Sequence, residues 1–156
     1  MVQSEPGEHI GVNRRRHQRL SATITPVLWV GVIVAFSLTP DPAAGLPGII
    51  GTAGSVAAHA GEFLVLGMLI ARTHPWHHRA YPFLMGFVIA LTDELIQSQV
   101  PGRDASVSDV LTDLVGVALG LAAAPHVWRL LPPLRTAVAF AFLLSVLRLG
   151  FIYLLA

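Results

Sequence analysis

The chain has 156 residues, of which 54% are hydrophobic and only 12% charged, and its mean hydropathy is +0.66. Soluble globular domains carry about 25% charged residues, so half that share points to a membrane protein. The net charge is +1 and all ten basic residues are arginine. The basic cluster Arg14, Arg15, Arg16 and Arg19 is short and abuts an apolar run, so nucleic acid is not an expected partner. With no cysteine, disulfides and thiolate metal sites are excluded.

Residues 1–20 are polar and basic and are expected to form a disordered cytoplasmic tail, with residues 21–156 as a single transmembrane domain. The first span is Ala22–Leu38, with Pro26 near its start, where proline is tolerated. It is longer than the apolar region of a secretory signal peptide, and no small-residue cleavage site follows cleanly. Residues 39–55 are rich in Gly, Pro and Ala with Asp41 as their only charge, and read as an outer loop, re-entrant over Leu46–Ile50. The second span is Val56–Ala71, with His59 and Glu62 in its opening turns. Arg72, His74, Pro75, Trp76, His77, His78 and Arg79 follow, and read as a wet interfacial loop rather than a metal site. The third span is Ala80–Gln97, and the fourth Asp109–Leu121 with an extension to Ala124. A linker around Pro125–Arg135 leads to a fifth, Thr136–Leu155, which contains Arg148. The expected fold is therefore an all-α, polytopic membrane helix bundle of about five spans.

Arginine placement orients this bundle. The tail holds four, the loops after spans two and four hold two each, and the opposite side has Arg103 alone beside Asp104. Positive-inside bias puts the N-terminus in the cytoplasm of a multi-pass inner (cytoplasmic) membrane protein. His59 and Glu62 then start span two on the outer side. Asp93 lies about 20 Å along its helix from Ala80, so Asp93, Glu94 and Gln97 finish span three on that same side. Arg103 lies in the outer loop, and Asp109 and Asp113 open span four. Arg148 falls about 18 Å beyond Thr136, again in the outer half.

Charges within a span cost roughly 2.5–3.5 kcal/mol each at the helix centre, so their convergence calls for a reason. His59 and Glu62, Asp93 and Gln97, and Asp109 and Asp113 are spaced to share helix faces. The face of Asp109 and Asp113 continues through Gly116 and Gly120, a spacing that lets a neighbouring helix approach closely. Gly86 and Ala90 lead into Asp93 and Glu94 in the same way. Asp109 or Ser108 is equally well explained as a helix cap, whereas Asp113 lies a turn deeper. For Arg148, a structural ion pair with Glu62 or Asp113 outweighs a direct catalytic role.

The segments H-A-G-E-F-L-V-L-G at 59–67, D-E-L-I-Q at 93–97, P-G-R at 101–103 and S-D-V-L-T-D-L-V-G-V-A-L-G at 108–120 resemble the VanZ-like membrane proteins. S-L-T-P at 37–40 fits the same pattern. The resemblance covers most of residues 37–121 and implies a small polytopic bacterial membrane protein of a family whose founding member is associated with teicoplanin resistance. Family members often carry a lysine shortly before the histidine, and Ser55–Ala58 has none. The position of Asp113 alternates between Asp and Asn in the family. The matching candidate positions are His59, Glu62, Asp93, Glu94, Gln97, Arg103, Asp109 and Asp113.

Readings of different classes remain open. In the first, the protein acts on or protects a lipid-linked or cell-wall component. His59, Glu62, Asp93, Glu94, Asp109 and Asp113 then supply acid–base chemistry, while Gln97, Arg103 and Arg148 hold a phosphate or carboxylate. In the second, one imidazole and several carboxylates hold Mg²⁺, Mn²⁺ or Zn²⁺. In the third, the polar cluster locks the helices together and the protein is a non-enzymatic scaffold or partner. A transporter is the weakest fit, since no inverted repeat is visible.

Overall fold

The computed structural model describes residues 6–39, 47–73, 80–130 and 140, with backbone alone at 6–19 and 21. The described residues form four helices: α1 (Pro6–Ser37), α2 (Gly48–Ile70), α3 (Ala80–Gln97) and α4 (Val107–Leu130). No strand occurs among them. The expected fifth span with Arg148, residues 40–46 with Asp41, and residues 74–79 with the histidine cluster lie outside the described residues.

Local chemistry sets the helix ends. Pro6 occupies the first turn of α1, where its missing N–H has no intrahelical partner to lose. Pro40 disfavours helical geometry at Thr39 and closes the same helix. Between α3 and α4 the chain turns at Pro101–Gly102. The Arg103 N–H donates to the Val100 carbonyl at 3.1 Å. Gly102 takes φ +83°, open to glycine at the third position of a type II turn. Ser106 caps α4: its Oγ accepts the Ser108 N–H at 3.2 Å, and its carbonyl accepts the Asp109 and Val110 N–H groups.

Several boundaries depart from the sequence reading. The helix of α1 is longer than the expected first span and runs back through the basic segment to Pro6, so Pro26 lies mid-helix. The re-entrant loop is corrected as well, because Gly48–Ile50 are the first turn of α2. Helix α4 passes through Pro125 to Leu130. Its added turns are anchored by half-buried Val127 and Trp128, the latter under the Arg72 guanidinium at 5.4 Å from the ring centroid. The cap of α4 is Ser106, in place of Ser108 or Asp109. Helix α3 has the expected bounds.

The most extensive packing joins α2 and α4, which run in the same direction. Glycines bring the two backbones together. A β-carbon at Gly116 would lie 2.6 Å from the Ala60 carbonyl oxygen, and one at Gly120 would overlap the Leu64 carbonyl. Gly67 of α2 meets the Val117 carbonyl in the same manner. Helix α3 packs antiparallel to α4, with Gly86 receiving the Val117 side chain. Phe63, Leu66, Leu69, Val117 and Ala124 fill the interior, joined by Trp29 and Ile33 of α1.

The outer faces are apolar too. Val27 and Leu28 of α1, Leu84, Val88, Leu91 and Leu95 of α3, and Leu111, Val115 and Leu119 of α4 are all exposed. Helices α2 and α4 are long and apolar enough to cross a membrane. Their 23 and 24 residues extend about 35 Å at 1.5 Å per residue, against a hydrocarbon core of about 30 Å. Helices apolar on both faces suit lipid on one side and packed helix on the other. The described residues are all helical, and the two long apolar helices fit a membrane protein.

Candidate functional site

The antiparallel order brings the C-terminal ends of α1 and α3 to the same end of the bundle as the N-terminal halves of α2 and α4. Ser37, His59, Asp93, Glu94, Gln97 and Asp113 are all buried there. Asp113 is fully buried, at 0% exposure, so its carboxylate is entirely committed to the protein interior.

Asp113 extends from α4 to the imidazole of His59 on α2, with Nδ1 to Oδ1 at 3.0 Å. This contact is possible because Ala60 and Gly116, each one turn or less further on, touch backbone to backbone. In the neutral ring, an Nδ1–H donated to this carboxylate leaves the lone pair on Nε2, so the partner selects the tautomer. Asp93, on α3, completes the group. His59, Asp93 and Asp113 each offer a ligand atom, and these atoms lie within 4.8 Å of one another.

Asp93 is held from two sides. Gln97, one turn on along α3, donates its amide to Oδ2 at 2.6 Å. The hydroxyl of Ser37 bonds with Oδ1 and lies 2.8 Å from the Ile33 carbonyl oxygen. Glu94 points to the start of α4, where its Oε1 accepts the Ser106 N–H. Its other oxygen, Oε2, and the Oδ2 of Asp113 are buried without a hydrogen-bond partner among the described residues. Two orphaned carboxylate oxygens in one interior are unusual, because desolvating such groups is costly unless something answers them.

The remaining candidates sit around this centre. Arg103 reaches the end of α1, where its Nη1 is 3.3–3.4 Å from the carbonyl oxygens of Phe36, Ser37 and Thr39. It thereby supplies a cationic cap to the last carbonyls of that helix. Glu62 and Asp109 are half-buried and stand close enough to act on the charge of His59. The backbone carbonyl of Glu62 accepts the indole N–H of Trp29 at 2.9 Å, pinning α1 to α2. Arg148 lies outside the described residues.

Ser37 was not among the residues singled out as candidates from sequence, although the S-L-T-P segment containing it was. A serine at the end of an apolar run is ordinary, and only the crossing of α1 and α3 gives it Asp93 as a partner. The same holds for the Ser106 amide, a backbone donor that no residue pattern reveals.

A family model described as VanZ/LLP1 matches residues 12–130. No curated protein and no solved structure matches the chain. The family match runs from within α1 to the last residue of α4 and includes every member of the buried cluster. Covering well over half of the chain, it establishes that this protein belongs to the VanZ/LLP1 family.

Proposed function

We propose that this protein is a multi-pass protein of the cytoplasmic membrane, with its N-terminus inside and residues 136–155 forming a fifth span. Its acid–histidine centre works near the extracytoplasmic surface on a lipid-linked or cell-wall component. The outcome for the cell is a glycopeptide-protective role of the kind associated with teicoplanin resistance. The observation that carries the reading is the buried His59–Asp113 pair with Asp93 beside it, delivered by three helices. An imidazole oriented by a carboxylate is the arrangement a general base or acid needs, since the partner sets the tautomer and steadies the imidazolium. In this reading Glu62, Glu94 and Asp109 tune that centre, while Gln97, Arg103 and Arg148 hold the anionic part of the component.

The test is protection of a glycopeptide-sensitive bacterium. Wild-type protein should raise the inhibitory concentration of teicoplanin. His59→Ala and Asp113→Ala should abolish the rise while the variants accumulate in the membrane at wild-type levels. Retained protection with His59→Ala removes this reading.

A second reading is favoured by the way the bonds are distributed. Ser37 to Asp93 joins α1 to α3, His59 to Asp113 joins α2 to α4, and Glu94 to Ser106 joins α3 to the start of α4. Here the cluster is a lock and the protein a scaffold. Asp113→Asn would then lower stability and leave any separable activity intact.

A further inference from the structure

We propose that His59, Asp93 and Asp113 form a binding site for a divalent transition-metal cation of the Zn²⁺ or Mn²⁺ kind, with Glu94 as a further oxygen donor. The inference rests on the reading above that this cluster is the working centre, and adds the ion that the centre holds.

The first support is geometry. One donor atom from each of the three side chains already falls within 4.8 Å of the others. Metal–ligand bonds of about 2.0–2.2 Å at tetrahedral angles place donors about 3.3–3.6 Å apart, so side-chain shifts of about 1 Å close the set on an ion. The donors come from α2, α3 and α4, so the site is assembled by packing rather than by a flexible loop.

The second support is the pair of orphaned oxygens. Asp113 Oδ2 and Glu94 Oε2 are buried without partners among the described residues, although Asp113 is 0% and Glu94 6% exposed. A bound cation is a partner of the right sign for both.

The third is charge. Asp93, Glu94 and Asp113 carry three negative charges when ionised, and a ligating His59 is neutral. Among the described residues the nearby guanidinium is that of Arg103, which acts on Asp93 and is itself bound to the α1 carbonyls. Against Arg103 these three carboxylates leave two negative charges, the charge a divalent ion answers, and half-buried Glu62 and Asp109 add to the excess. In an interior of low dielectric such an excess is answered either by a cation or by protons, and metal loading separates the two.

The fourth is the surrounding shell. Ser37 and Gln97 each hold one oxygen of Asp93. Metal-ligating carboxylates are characteristically steadied in this way by outer hydrogen bonds. Ligand type sets the class of ion. An imidazole nitrogen among carboxylates suits Zn²⁺ or Mn²⁺ better than Mg²⁺ or Ca²⁺, which favour all-oxygen sets.

The experiment uses the full chain purified in detergent, stripped with chelator and reloaded with Zn²⁺ or Mn²⁺. Mass spectrometry should find stoichiometric metal on the wild type, and reloading should raise its Tm by several degrees. His59→Gln and Asp113→Asn preserve side-chain size, and should lose both the metal and the Tm response while keeping wild-type helicity by circular dichroism. Glu94→Gln should weaken metal retention less than either. If the folded wild type takes up neither ion in large excess and its Tm does not move, the site holds protons and hydrogen bonds only, and the inference falls. That result is separable from failure of the functional reading, which depends on whether His59→Ala loses glycopeptide protection.

Discussion

The contact between α2 and α4 has two stretches governed by different physics. Along Ala60, Leu64, Gly116 and Gly120 backbone meets backbone. Less than one turn toward the helix starts, His59 and Asp113 meet through a single polar contact of 3.0 Å. The glycine stretch gains close packing, the principal source of helix association in lipid, where burying apolar surface brings little. The polar stretch gains little net energy, because desolvation offsets most of the attraction between its groups. Its requirement is positional. A short aspartate side chain reaches the imidazole only because the neighbouring glycines have already brought the helices together. The seam is thus what makes the polar contact possible.

The most damaging way to break this arrangement is to fill the seam. Gly120→Leu places carbon into the Leu64 carbonyl and the Met68 amide, backbone atoms that cannot turn aside. Overpacking of this kind should destabilise by about 3 kcal/mol or more. Thermal unfolding in detergent, read by circular dichroism, measures it. A wild-type Tm for this variant would show that the backbones are farther apart than described here.

Breaking the polar stretch should hurt less. Asp113→Ala leaves the His59 Nδ1–H buried without its acceptor, a loss of about 1–3 kcal/mol. Asp113→Asn keeps an oxygen facing the ring and should lose less, while still removing the charge. The gap between the two variants in the same melt isolates the hydrogen bond from the charge. Equal losses would mean that the bond itself contributes nothing.

Smaller again is the effect expected at Ser37→Ala, which removes one of the two groups steadying Asp93. The loss should be about 1 kcal/mol. It should be accompanied by weaker metal retention if Asp93 is a ligand held in place by Ser37. The smallest effect has the opposite sign. Gly31 is exposed, with nothing within 4 Å of a built β-carbon. Gly31→Ala should therefore raise stability by about 0.5–1 kcal/mol, the ordinary helix preference for alanine over glycine. A destabilising result would place an unseen partner against that face of α1.

The amino-acid sequence alone carried the helical class, the bounds of α3, the inward faces of Gly116 and Gly120, and the gathering of His59, Asp93, Glu94 and Asp113 at one end. All of these follow from hydropathy, from a helical period that is the same wherever the helix sits, and from the cost of placing charge in lipid. Helix ends were less legible. Whether a helix runs on past a proline such as Pro125 depends on packing against residues elsewhere in the chain, as when Trp128 of the added turns lies under Arg72. Only the tertiary structure decided which polar atoms meet. The partnering of Ser37 with Asp93, the Ser106 amide with Glu94 and the Arg103 guanidinium with the end of α1 joins residues far apart in sequence. The approach of Gly67 to Val117 is of the same kind. Such contacts depend on the rotation and offset of one helix against another. Periodicity along a single helix names the face a residue occupies but holds no information on what stands opposite.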